Sequence, residues 1–133
     1  MVEEIAHALI IENGRYLALR ENGKDYWKLP GGRLNNGELP EDALRRELYE
    51  EIGVKIKSAK KIHEFETLFK GRTLKFYSYL VDVDGLARVL DEEEDLEMDW
   101  QLLDRMKDTT DQEPSQQILY NRLIELGIVE EKS

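Results

Sequence analysis

The chain contains no cysteine, so disulfides, thiol catalysis and cysteine-ligated zinc are all excluded. It has no apolar run long enough to cross a bilayer. Basic residues are in short supply: 19 Lys and Arg stand against 29 Asp and Glu, a formal net charge of −10. A surface of that sign repels nucleic acid and anionic membrane, since both need a basic footprint, so neither is expected as a partner. The opening "MVEEIAHALIIENG" is acidic where a secretory signal is basic, and it runs straight into a strand pattern. The cytoplasm is therefore the expected compartment. A ligand carrying phosphate would need something other than net charge to draw it in, and a divalent cation is the obvious means.

What is present suits one compact domain spanning residues 1–133, with 41% hydrophobic residues to supply its core. "EIAHALIIENGRYLALRENG" reads as two strands joined at Asn13-Gly14, a dipeptide that favours a type I′ hairpin. "DYWKLPGGRLNNG" reads as loop with room for a short strand. A helix is predicted from Pro40 to Ile52, with Glu41 and Asp42 at its positive end and Gly53 just past its last turn. "KIHEFETLFKGRTLKFYSYLVDV" gives a second strand pair turning at Lys70-Gly71. A short strand follows around Trp100, then one or two helical turns in "LLDRM". "PSQQILYNRLIELG" is an amphipathic helix opened by Pro114, closed by Gly127, with Ile118, Leu119, Leu123 and Leu126 as its stripe. The order β-β-loop-α-β-β-β-α implies a mixed sheet with helices packed on it.

The first helix crowds Glu47, Glu50 and Glu51 together. At about 100° per residue, Leu44, Leu48 and Ile52 form the core-facing stripe, and Glu51 falls about 20° from Leu44 with Glu47 about 60° round. The three carboxylates share a face that borders the core. Like charges about 4 Å apart repel by about 4 kcal/mol at an effective dielectric near 20. Protonating one carboxylate or binding a hard divalent ion relieves this, and so does solvation if the face is an ordinary acidic surface. Arg45 and Arg46 supply local countercharge, Arg46 reaching Glu50 at i+4. Upstream, Gly31-Gly32 lets the backbone approach a ligand closely, and Glu38 can bond free amides or pair with Arg46.

The string Gly32, Glu38, Arg46-Glu47-Leu48, Glu50-Glu51, Gly53-Val54 resembles the Nudix box, with all nine of its specified positions filled in register. "WKLPGG" resembles the usual lead-in. The resemblance implies an α/β/α sandwich with a mixed β-sheet, whose loop–helix–loop binds Mg²⁺ or Mn²⁺. It implies hydrolysis of a nucleoside diphosphate linked to another moiety X. Carried over by position, Glu47, Glu50, Glu51 and the Gly32 carbonyl are the metal ligands. Arg46 orients Glu47, the first choice for general base, and Glu38 and Gly53 are structural. The family commonly adds a glutamate from a later loop, here Glu92, Glu93 or Glu94 in "DEEEDLE", with Glu93 preferred. Arg20, Lys28 and Arg33 flank the site and are candidates to touch phosphate. Trp27, Trp100, Tyr77 and Tyr79 are read as packing residues, and His7 and His63 have no histidine partner for a metal site.

The box leaves X open. The proline of the ADP-ribose type and the tyrosine of the diadenosine polyphosphate type are both absent around "FKGRT", as are the NADH-type and coenzyme A motifs. Elimination leaves a MutT-like enzyme turning a (deoxy)nucleoside triphosphate into monophosphate and pyrophosphate, with oxidised nucleotides as candidates. ADP-ribose, nucleotide-sugar and dinucleoside polyphosphate hydrolysis are the alternatives within the family. A nucleotide-sensing module without turnover is the alternative outside enzymology. The expected protein is a monomer or homodimer with a small nucleotide as its partner.

Overall fold

The computed structural model describes residues 2–90, 95–108 and 114–130. Two β-sheets lie between two helical layers. The first is mixed: β1 (Val2–Leu9) runs antiparallel to β4 (Gly31–Arg33) and parallel to β6 (Arg72–Asp84), which pairs antiparallel with β5 (Lys55–Phe69), giving the order β4-β1-β6-β5. The second is antiparallel, with β2 (Ile11–Glu12), β3 (Arg15–Glu21) and β7 (Leu96–Leu102) in the order β2-β3-β7.

Period-2 alternation explains why both faces are covered. Ala6 and Ala8 of β1 and Leu17 and Leu19 of β3 point to one side, where they pack with Leu44, Leu48 and Ile52 of α1 (Pro40–Ile52). Leu9, Tyr16 and Ala18 point to the other, where Leu119 and Leu123 of α2 (Ser115–Glu125) and Met106 of a 3₁₀ helix (Leu103–Asp108) close over them. The α/β/α sandwich is as expected. Tyr77 and Tyr79 are buried on the α1 side, and Trp27 and Trp100 pack at the margins of the two cores.

Both turns behave as their dipeptides demand. Asn13 and Gly14 have φ of 53° and 75°, and Lys70 and Gly71 have 51° and 75°, the positive pair that a type I′ hairpin needs. Three details depart from expectation. The first apolar run does not make one strand: it leaves the mixed sheet after Leu9, Ile11–Glu12 pair with β3, and the Ile10 carbonyl accepts the Leu17 N–H. Eight consecutive partners on β6, Val2 to Leu9, hold the first part in the other sheet. In consequence the sheet is split in two. In α2, Pro114 is the N-cap and not the first helical residue. The buried face of α2 is also rotated: Ser115, Gln116, Leu119, Tyr120 and Leu123 are buried, Ile118 is half-buried and Leu126 is 42% exposed. Tertiary hydrogen bonds to Gln116 set that rotation, as described below.

Candidate active site

α1 starts at Pro40, whose missing N–H costs nothing in the first turn, and ends with Gly53 donating its N–H to the Tyr49 carbonyl. The helix therefore presents one fixed face to β4 and β1. Its three glutamates are graded by depth. Glu51 is buried at 4% exposed, Glu47 is mostly covered, and Glu50 is exposed. The wheel foretold this order.

A buried carboxylate must be paired and hydrogen-bonded. Glu51 Oε1 accepts the Gly31 N–H at 2.9 Å, and Lys28 Nζ lies 4.0 Å from Oε2. Glu47 approaches the other glycine. A Cβ on Gly32 would run into the Glu47 carboxyl, and one on Gly31, where φ is 144°, would run into the Ala6 carbonyl oxygen of β1. Only glycine lets β4 lie between β1 and these two side chains. Gly31 pairs with His7 and Gly32 with Ala6, so sheet register carries this turn to the helix face.

Arg46 organises the rest. Its Nε and NH2 donate to the two oxygens of Glu38 at 3.0 and 2.9 Å, its NH1 donates to Glu47 Oε1 at 2.8 Å, and NH2 also reaches the Arg33 carbonyl at 3.1 Å. Glu50 Oε2 lies 3.5 Å from the same NH1. The guanidinium fork is pre-organised for this bidentate grip. Glu38 in turn accepts the Asn35 N–H at 2.9 Å. The Arg46 hydrogen bond, then the Asn35 amide, hold the Glu38 carboxyl down at about 2. The same bond raises Arg46 further above its ordinary range.

Among the described residues, no three acidic or histidine side chains already stand as a closed ion cluster. Glu47 and Glu51 instead converge on the Gly31-Gly32 backbone from one helix face, with Glu50 one turn above Glu47. The donors are all oxygen, which fits a hard divalent ion and not a soft one. Glu92, Glu93 and Glu94 lie outside the described residues.

A cavity of about 180 Å³ opens beside the glycine turn. Lys28 and Arg33 line it, together with Gly32, His7, Phe76 and Gln116. Arg20 is not among its walls: it pairs with Glu97 at 2.8 Å and lies 4.6 Å over the Trp27 ring. A larger hollow of about 530 Å³, between the 3₁₀ helix and α2, contains none of the box residues. His7, Phe76 and Gln116 were not foreseen as site residues. For His7 and Gln116 the signal is a polar residue inside an apolar strand or on the buried side of a helix, readable only once strand pairing is known; Phe76 looks like any core aromatic. Gln116 accepts from Tyr16 Oη at 3.2 Å and donates to the Trp27 carbonyl, so this amide fixes the rotation of α2.

The comparisons with known proteins agree with this geometry. The NUDIX domain model matches residues 3–122. An 8-oxo-dGTP diphosphatase of Haemophilus influenzae is 39% identical over 70 residues, 50% of this chain and 52% of that protein. An RNA pyrophosphohydrolase of Tolumonas auensis is 51% identical over 43 residues, 32% of this chain and 25% of that protein. The aligned segments thus span about half or less of these curated relatives. The crystal structure of a MutT NUDIX hydrolase from Burkholderia pseudomallei superposes with a TM-score of 0.78, covering 92% of this chain and 98% of that one at 22% identity. That last likeness is one of fold. With the family match running across both sheets and both helices, the chain belongs to the NUDIX domain family.

Proposed function

We propose that this protein hydrolyses a phosphoanhydride bond of a nucleoside diphosphate linked to X, most readily a (deoxy)nucleoside triphosphate, releasing monophosphate and pyrophosphate. The observation that carries the reading is Glu47, seated against Gly32 and held at 2.8 Å by an Arg46 that Glu38 grips on its other edge. An ordinary acidic helix face has no need of such an arrangement. Glu47, Glu50, Glu51 and the Gly32 carbonyl would hold Mg²⁺ or Mn²⁺, which when bound polarises water and neutralises charge on the leaving phosphate.

The chain's own residues supply position and proton transfer. Glu47 is the proposed base, taking a proton from the attacking water, while Arg46 holds its carboxylate in one orientation. Lys28 and Arg33 would meet phosphate oxygens, a role supported by their lining the adjoining cavity. Arg20 has the weaker claim, because it does not line that cavity; all three cations have carboxylate partners, Glu97 for Arg20, Glu3 for Arg33, and Glu21 and Glu51 for Lys28. Glu93 stays a candidate second acid. We further take residues 1–133 as one domain working in the cytoplasm on a small nucleotide, as a monomer or homodimer.

The name of the 39%-identical diphosphatase supports a triphosphate substrate, oxidised nucleotides included. The RNA pyrophosphohydrolase relative raises a second reading, the same chemistry at an RNA 5′ end. A net charge of −10 disfavours it, since a long polyanion needs basic contacts along its length. Incubation with Mg²⁺ or Mn²⁺ and a panel of NTPs, dNTPs, 8-oxo-dGTP, ADP-ribose, dinucleoside polyphosphates and 5′-triphosphorylated RNA tests both readings. Monophosphate and pyrophosphate from free nucleotides, absent with Glu47→Gln, is the expected result. Turnover of RNA alone selects the second reading, and binding without turnover of any substrate selects a sensor.

A further inference from the structure

We infer that His7 is a specificity-determining residue that presents a hydrogen-bond donor, its Nδ1–H, to the cavity, and that the site therefore selects nucleobases with a carbonyl on the edge they turn to it. This rests on the nucleotide reading above and extends it to the base.

Strand register places the residues. β1 and β6 run parallel with His7 directly opposite Ser78, and His7 Nε2 lies 2.5 Å from Ser78 Oγ. Both are buried, His7 at 4% and Ser78 at 0% exposed. Phe76 stands beside the imidazole, ring centroids 4.9 Å apart, and both line the cavity.

The tautomer follows from hydrogen-bond accounting. A hydroxyl has one proton to donate, and a buried one left without an acceptor costs roughly 1–3 kcal/mol. Among the described residues His7 Nε2 is the hydrogen-bond partner of Ser78 Oγ. Ser78 therefore donates its proton to Nε2, which must be bare. Burial also pulls His7 down to about 3, so the ring is neutral near pH 7. A neutral imidazole with a bare Nε2 carries its proton on Nδ1.

That proton faces the cavity. No fully buried side-chain nitrogen or oxygen among the described residues lacks a hydrogen-bond partner, and His7 makes its one hydrogen bond through Nε2. Nδ1 must then be reachable from the cavity that His7 lines. At its own stretch of a wall that Lys28, Arg33 and Gln116 also line, a fixed donor beside Phe76 donates to a carbonyl oxygen and rejects an amino group, because the mismatch leaves two donors facing each other. Ser78 does not touch the base. It is a positioning residue that holds the tautomer.

Nitrogen-15 NMR of the labelled protein at neutral pH reads the tautomer directly. A protonated Nδ1 and a bare Nε2 at His7 are expected, and the reverse assignment overturns the inference whatever the protein hydrolyses. The second arm compares inosine triphosphate with ATP, which differ at C6, carbonyl against amino, and at N1, protonated against bare. Wild type should show about tenfold lower KM for the inosine nucleotide, the worth of one hydrogen bond. His7→Phe should remove that preference, with the loss falling on KM. Ser78→Ala should mix the two tautomers in the NMR spectrum and weaken the preference without deleting the ring. An equal rise of KM for both nucleotides in His7→Phe would make His7 a plain wall and refute the donor role. If neither triphosphate is turned over, the activity reading fails on its own, and equilibrium binding of IMP against AMP decides the base preference.

Discussion

The two helices that cover the sheets bury different kinds of polar group, and each kind gathers different partners. α1 buries a carboxylate, Glu51, against a glycine amide and a lysine. α2 buries an amide, Gln116, between Tyr16 and the Trp27 carbonyl. A neutral amide can be satisfied by a tyrosine hydroxyl and a carbonyl, and then it ties two elements together. A charge near the core demands cations and close backbone, and those demands pull Lys28, Arg46 and the Gly31-Gly32 turn to one place. Charge on a buried face thus gathers cations and backbone amides around it, whereas the amide joins its helix to a strand and a loop.

The largest effects should separate the helices cleanly. Glu47→Gln should lower kcat by about 10²–10⁴-fold while leaving the melting temperature nearly unchanged. Leu123→Ala on α2 should do the opposite, costing about 2–5 kcal/mol in denaturant unfolding with turnover per folded molecule retained. Leu48→Ala, equally buried on α1, should cost a similar amount of stability. A large kcat loss in Leu123→Ala would break the division of labour.

Arg46→Lys keeps the charge and loses the fork, so it should reduce kcat by about 10–100-fold through misplacement of Glu47. Steady-state kinetics beside a melting curve would distinguish that from unfolding. A smaller effect concerns acid. Glu38 titrates near 2 in the folded protein against an ordinary value of 4.5. Its folded value is depressed, so its stabilisation is complete above about 4.5 and is lost as pH falls toward 2. Glu38→Gln should flatten the stability curve in that window and leave the curve near neutral pH parallel to wild type. The smallest effect is Leu126→Ala, which should change stability by no more than about 0.5 kcal/mol, because the side chain is partly exposed and belongs to neither core. A cost like that of Leu123→Ala would restore the apolar stripe first expected for α2.

Legibility followed the range of the interaction. The first helix could be bounded to the residue, because Pro40 and Gly53 act within one turn of the chain. The graded depth of its glutamates followed from 100° geometry, and Arg46 meets both partners foreseen for it, Glu38 and Glu50. The stripe of α2 was misjudged because hydrophobicity alone ranked Ile118 and Leu126 above Gln116 and Tyr120. The amide wins its buried place through Tyr16, a hundred residues away in sequence. Arg20 looked as available for phosphate as Lys28, yet strand pairing sets it against Glu97 and away from the cavity that Lys28 lines.

By itself, then, the sequence determined the elements, the two positive-φ turns, the glutamate face and the family, since each depends on spacing within a helix, a hairpin or one short motif. Only the tertiary structure decided that the first apolar run divides between two sheets, that Gly32 lies against Glu47, and that His7 meets Ser78 beside a cavity. Those outcomes depend on strand register. A one-residue slip would turn every one of these side chains to the other face, and the partners that the register brings together, such as His7 and Ser78, stand 71 residues apart in sequence.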